Sequence, residues 1–387
     1  MQSSSLKISF TVFFVVSIIF STIYTPQAIL PVIKQEFNIS ILQTNLLLSG
    51  MLFVLMIATP FYIPIINRFE KKNIMVVCTF FLFISVLISA LATNFYALLF
   101  SRFLQGVFLP GITAIILSYI QEIYSEKHRS MGIGIYMAGT SFGAVIGRLL
   151  VGWLTFLYSW QKAFLVFAIL LAIAFIVIIF TFPKTQKIHH EKKGITTKEL
   201  LKYISNIKIL TALLVPTVVF FSFMAISTFV TYHLAQEPFN LNSHQVGNIF
   251  LVLILGIFVS PLAGRISGIF GHLKIIYVGI FLLILGILFT LTNSVTSVII
   301  GIAFVTMGMF SAQSASPSYI FELIPNEKEK IAIVHQTFFY LGGCLGTFLP
   351  SILWEYYKYD GVTYFCIFLL LLLITLLSFQ RLHNKAK

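Results

Sequence analysis

Charge is scarce in this chain, and acidic charge is scarcer still. Asp and Glu together number 12 among 387 residues, and charged residues of every kind make up 10%. A soluble domain carries about 25%. With 58% hydrophobic residues and a mean hydropathy of +0.98, the chain has too little polar surface to face water, and a bilayer is its natural solvent. Period-two alternation is missing, which excludes a transmembrane β-barrel and leaves helices. Cysteine is rare: Cys78, Cys344 and Cys366 all lie in apolar runs with no CxxC pair. This excludes a disulfide or metal framework. There is no Walker loop, no HExxH, no nucleophile elbow and no redox site. The expectation is therefore not an enzyme, with no catalytic residues, no metal and no cofactor.

What the sequence does have is apolar runs, each of about 20 residues and long enough to cross ~30 Å of hydrocarbon. We read twelve, over 8–33, 44–66, 74–93, 95–121, 131–157, 162–182, 209–234, 245–267, 275–292, 295–321, 331–353 and 362–380. The first is too long for a signal-peptide core and has no small-residue cleavage site before its end. The longest polar stretch, residues 183–208, divides the runs six and six. The expected organisation is a six-helix bundle over 1–182, a basic cytoplasmic linker over 183–208, and a second bundle over 209–387. The fold class is all-α, twelve transmembrane helices in two pseudo-symmetric halves.

Lys and Arg in the loops orient the chain. Twenty fall on the side of the termini and the central loop, against Lys34, Lys162 and Lys358 on the other. Both termini are expected in the cytoplasm and the protein in the inner membrane. The net charge of +13 is thereby accounted for as topology, which removes nucleic acid as a partner. Membrane lipids surround a chain that is expected to be a monomer.

The halves repeat one another. "YIQE" at 119–122 returns as "YIFE" at 319–322, and "FNIS" at 37–40 returns as "FNLNS" at 239–243. Pro60, Phe69 and Ile74 match Pro261, Phe270 and Ile275. Matches at nearly one offset indicate a duplicated six-helix unit, a known transporter plan with its site near mid-membrane between repeats.

Three motifs then carry a resemblance. "INRFEKKNI" (66–74) is similar to the G-x-x-x-D-R-x-G-R/K-R/K loop through Arg68, Lys71 and Lys72. Its second copy is "GRISGIFGHLK" (264–274). "RFLQG" (102–106) is similar to R-x-x-Q-G. "GTSFGAVIGRLLVG" (139–152) is similar to G-x-x-x-G-P-x-x-G-G, with Ala144 for Pro and Arg148 for the last Gly. Over nearly its whole length the chain resembles the major facilitator superfamily. "FSAQSASPSYIFE" and "HQTFFYLGGCLG" look most like the YnfM or arabinose-efflux type subgroup of drug/proton antiporters.

The resemblance implies alternating access with a small-molecule substrate in a central cavity. Efflux of small amphiphilic compounds coupled to protons is the favoured expectation. Uptake or exchange of an anionic metabolite recognised by Arg102 and Arg148 is an alternative. A transporter-like sensor or a lipid scramblase is an alternative from another class.

Arg102 and Arg148 are the fixed charges deep in helices. Each costs at least ~2.5 kcal/mol there unless it snorkels to the interface, pairs with carbonyls and helix ends, or faces a cavity. None of the twelve acids lies at mid-membrane, so the cavity is expected to be neutral to positive, disfavouring organic cations. Candidate substrate contacts are Arg102, Gln105, Arg148, Tyr24, Gln27, Gln313, Phe339 and Tyr340. His335 and His233 titrate in the range a proton carrier needs. Arg68, Lys71, Lys72, Glu122, Arg129 and Glu322 are candidate cytoplasmic gate charges. Gly139, Gly143 and Gly147, spaced by four, allow close helix packing, and the expected partner is the other half.

Overall fold

The computed structural model describes the backbone of residues 2–123, 126–182, 197–325 and 327–385, all of it helix and short connections. The helices are α1 (Gln2–Ile23), α2 (Leu30–Phe37), α3 (Ile41–Arg68), α4 (Lys71–Ala90), α5 (Phe95–Phe108), α6 (Pro110–Ile123), α7 (Glu126–Leu157) and α8 (Trp160–Thr181). After them come α9 (Thr197–Ser205), α10 (Ile207–Leu234), α11 (Ser243–Ile249), α12 (Leu255–Phe270), α13 (His272–Thr290), α14 (Val295–Leu323), α15 (Lys328–Phe348) and α16 (Pro350–Lys385). Among the described residues eleven stretches are long and apolar enough to cross a membrane, and a bent pair, 8–23 with 25–37, makes twelve if it is one span.

Several runs that read as single helices are broken. The first stops at Ile23 and continues as a 3-10 turn (Thr25–Ile29) before α2. Pro26 at the start of that turn has no N–H to donate, which weakens a helix at that point. The fourth changes direction between Phe108 and Pro110, and the eighth contains a 3-10 turn, Phe250–Ile254. Helix α16 leaves helical geometry at Lys358 (φ 53°, ψ −142°), so the last apolar run starts beyond it. The polar linker ends in a helix, α9, which its composition did not announce. By contrast α7, where Ala144 replaces proline, runs unbroken for 32 residues.

The repeated "FN" motif has a local physical meaning. Asn38 and Asn240 both adopt φ 50°, a left-handed turn that asparagine tolerates. Each is followed by a capping box, Ser40 with Gln43 and Asn242 with Gln245. The two turns open the second span of each half in the same way, and each cap contributes roughly 1 kcal/mol.

The chain forms two compact units, Met1–Lys193 with Leu241–Leu251, and Gly194–Asn240 with Val252–Lys387. In the first, α1 packs along α7 and α4 along α8; in the second, α10 packs along α15 and α13 along α14. The partner expected for the glycine row needs correction here. Gly143 and Gly147 press on the backbone carbonyls of Ser17 and Ser21 in α1, and Gly139 on Phe13 and Val16. They close a seam inside their own unit. The reason is matched spacing: Ser17 and Ser21 are also four apart, and their small side chains turn back on their own helix, Ser17 Oγ donating to Phe13 O and Ser21 Oγ to Ile18 O. Two rows of small residues thus bring the backbones into contact. The second unit repeats this, with Gly342 and Gly346 on the carbonyls of Thr217 and Phe221.

A Cβ at Gly143 would collide with backbone, which cannot move as a side chain can. Overpacking of this kind costs about 1–3 kcal/mol or more. Gly143→Leu is therefore expected to lower the thermal unfolding midpoint of the purified protein, read by tryptophan fluorescence. Gly134→Ala, facing open space, is expected to leave it unchanged. Equal midpoints for both would refute the seam.

Candidate functional site

The break at the end of α1 gathers five of the residues singled out from sequence. A helix end leaves its last carbonyls without donors, and in hydrocarbon water cannot supply them. Arg102, from α5, does. Its Nη2 donates to Ile23 O at 2.6 Å and its Nη1 to Thr22 O at 3.0 Å. Its Nε donates to Leu47 O at 3.0 Å, and Nη1 also donates to Gln105 Oε1. Gln105 is held in turn, its Nε2 donating to Ser89 Oγ at 3.0 Å, and Ser89 shares a 2.7 Å hydrogen bond with Ser101. Arg102, Gln105, Ser89 and Ser101 are all fully buried.

Arg148, from α7, reaches the same break from the other side. Its Nε donates to Gln27 Oε1 at 2.7 Å, and Nη1 to the carbonyl of Ala144, one turn back, at 2.6 Å. The guanidinium carbon lies 4.3 Å from the centroid of the Tyr24 ring and 5.2 Å from that of Phe250. Each ring presents its negative face to the cation. At 0% and 1% exposure neither arginine reaches an interface, so snorkelling is excluded for both. Among the described residues they are the only buried Lys, Arg, Asp or Glu side chains.

Repeat symmetry shows what the arginines accompany. In the second unit Ile302 stands where Arg102 stands in the first, and Thr347, following Gly346, stands where Arg148 follows Gly147. There the span that matches the broken α1 is α10, one continuous helix. Among the described residues the buried cations occur only in the half whose first span is interrupted.

The other substrate and proton candidates belong to the second unit. In the second unit Phe339 stacks on Phe220 with centroids 3.8 Å apart and meets Tyr340 edge-on. Gln313 Oε1 is buried with no hydrogen-bond partner among the described residues. His335 is buried and shares a 3.0 Å hydrogen bond with Ser316. His233 stacks on Tyr359 at 4.3 Å, and its Nε2 is buried without a partner among the described residues.

Among the gate candidates, Lys72 Nζ donates to Ile179 O at 2.7 Å and so caps the end of α8, while Arg68 is exposed. Lys71 packs half-buried beside them. Glu322 lies 3.4 Å from His272 Nε2, whose Nδ1 shares a hydrogen bond with Ser267. Gly271, at φ 96°, is the residue that turns the chain into that histidine. The side chains of Glu122 and Arg129 lie outside the described residues.

Sequence reasoning missed three features. The receiving carbonyls of Thr22, Ile23 and Leu47 carry no residue-type signal. Phe250 is one of 41 phenylalanines. Helix α9 is tied to the start of α15 by Lys330 on Glu199 and by Tyr203, whose hydroxyl donates to Glu327 at 2.8 Å. Burial, with Glu327 beside it, pushes the Tyr203 phenol up to about 12, so it stays protonated and remains a donor.

The family model of the Major Facilitator Superfamily matches residues 12–347 and 214–385. The chain belongs to that superfamily, and it is a multi-pass membrane transporter of small molecules, not an enzyme. Among bacterial relatives, the inner membrane transport protein YnfM of Escherichia coli (strain K12) is 26% identical, with 95% of this chain and 88% of that protein covered. The uncharacterized MFS-type transporter YybF of Bacillus subtilis (strain 168) is 27% identical over 96% and 92%. An uncharacterized transporter of Buchnera aphidicola subsp. Schizaphis graminum is 27% identical over 92% and 87%. Among solved structures, a bacterial homologue of the human lysosomal transporter Spinster superimposes with a TM-score of 0.75 at 18% identity, covering 97% and 95%. The human organic anion transporter MFSD10 gives 0.71 at 14% identity, covering 96% and 99%. At these identities the structures define the fold.

Removing Arg102 strips donors from buried carbonyls, at about 1–3 kcal/mol for each group left unpaired. Arg102→Met is expected to cost several times more stability than Arg68→Met on the exposed loop. Thermal unfolding of the two variants checks this, and comparable midpoints would show that the clamp adds little.

Proposed function

We propose that this protein is an inner-membrane secondary transporter that works by alternating access, and that it exports small amphiphilic compounds, neutral or anionic, in exchange for protons. The observation that carries the reading is the sign of the buried charge: among the described residues, two buried arginines and no buried carboxylate. A cationic drug would find no counter-ion there, whereas an anion or a carbonyl-bearing compound would. Export is supported by the resemblance of the glycine-rich α7 motif to the antiporter signature, and the location by the name of YnfM, an inner membrane transport protein. The loop lysines and arginines support cytoplasmic termini. The moving parts are the bundles over 1–182 and 209–387, joined by the 183–208 linker. A 3-10 turn inside a membrane helix is a common hinge, and in our reading Phe250–Ile254 is where the second bundle bends as the protein switches.

Arg102 serves this function as scaffold, holding the broken first span, and Gln105 orients it. Arg148, Tyr24 and Gln27 form the contact side toward substrate, with Gln313, Phe339 and Tyr340 contributed by the second bundle. Proton coupling falls to His335, held by Ser316, with His233 as the second candidate. Arg68, Lys71, Lys72, Glu122, Arg129 and Glu322 act at the cytoplasmic mouth. The arginines also favour a second reading, uptake or exchange of an anionic metabolite.

Flux into proteoliposomes separates these readings. An imposed pH gradient is expected to drive accumulation of an amphiphilic anion, and His335→Gln to leave counter-flow intact while removing the response to the gradient. Accumulation that ignores the gradient in the wild type would rule out proton exchange. No flux of any solute would favour a sensor, and lipid movement alone a scramblase.

A further inference from the structure

The two arginines differ in how many of their donors the protein uses. A guanidinium has five N–H groups. Arg102 makes four hydrogen bonds to the protein. Arg148 makes two, from Nε to Gln27 and from Nη1 to Ala144. Among the described residues none accepts from Nη2, so both of its N–H groups and one on Nη1 are left over. The side chain is nevertheless 1% exposed. Donors beyond the two that the protein uses are thus available for another molecule to complete the bonding.

The surroundings restrict that molecule. The rings of Tyr24 and Phe250 lie against the guanidinium, so the remaining donors are reached along its edge. A carboxylate suits that edge, because its two coplanar oxygens match the Nη1 and Nη2 donors as a fork. The aromatic rings give a flat apolar body a surface to lie against. One cation, with no second free buried cation among the described residues, balances one negative charge; Arg102 is committed to carbonyls. A dianionic phosphate would be left under-neutralised.

We propose that Arg148 is the specificity-determining contact of this transporter, and that its ligand is a monocarboxylate on a planar, apolar body. The proposal rests on the reading of the chain as a small-molecule transporter and names the substrate class for it.

Benzoate is the probe, with benzamide as its neutral isostere and benzylamine as the cation. Binding is measured by calorimetry on purified full-length protein in detergent. Benzoate is expected to bind at least ~10-fold tighter than benzamide, the scale of one lost charge-assisted pair, and benzylamine not to bind. Arg148→Lys, which keeps the charge and loses the fork, is expected to lose most of the preference. Because a variant at Arg148 could misfold, Gln27→Glu provides the second arm. It places a carboxylate beside Nε and satisfies the guanidinium internally. It is expected to keep or raise the thermal midpoint while weakening benzoate at least ~10-fold by the same scale.

Equal affinity for benzoate and benzamide in the wild type, or unchanged benzoate affinity in Gln27→Glu, overturns the proposal. Wild-type proteoliposomes that move neutral amphiphiles but neither bind nor move benzoate also overturn it and leave the transporter reading standing. Benzoate bound selectively but not moved supports the site and counts against the transport reading.

Discussion

A helix end inside a membrane is the constraint on which the first unit is built. When α1 stops at Ile23, its terminal carbonyls face a medium with no water to bond them. A buried guanidinium has the complementary defect, since its N–H groups also need partners that hydrocarbon does not supply. Arg102 on the carbonyls of Thr22, Ile23 and Leu47 cancels one cost against the other. Neither feature would be tolerable alone, and the second unit, which keeps α10 intact, has no buried arginine among its described residues.

The close packing of α1 on α7 follows from the same requirement. Arg148 can meet Gln27 in the 3-10 turn only if the backbones approach closely. The paired rows Gly143/Gly147 and Ser17/Ser21 permit this. Gly152 continues the row against the carbonyl of Ser243 in α11, where Ser243 Oγ donates to Gly152 O and Trp153 Nε1 to Asn248. One edge of α7 therefore carries the contact with α1, the arginine, and the contact with the start of the eighth span. Any change in how α11 lies on α7 alters what surrounds Phe250 and, through it, the face of Arg148.

Much of the fold was legible because a bilayer imposes simple rules. Length and hydropathy located the spans, the loop lysines and arginines stood out, and "FN" turns with their capping boxes could be matched across the halves. Arg102 and Arg148 were conspicuous as rare charges in apolar runs. What was not legible concerns direction. A membrane helix that is apolar all round has no polar face to show which side meets which neighbour, so the glycine row of α7 was expected to face the other half when it faces α1. The short α9 was lost in a charged stretch, because its packing face is only Leu200, Tyr203 and their neighbours against Ile331 and Val334.

By itself the sequence determined that the chain spans a membrane many times, that its halves are duplicates, and that its buried charge is positive. Those properties depend on residue type and spacing along one strand of chain. Only the tertiary structure decided that one arginine is held mainly by carbonyls while the other makes two hydrogen bonds and lies between two rings. That difference depends on backbone groups of Thr22, Ile23 and Leu47 and on a ring at Phe250, which come within reach only after folding. Carbonyls are the same in every residue, so no pattern of side chains could have announced which ones would be left for an arginine to bind.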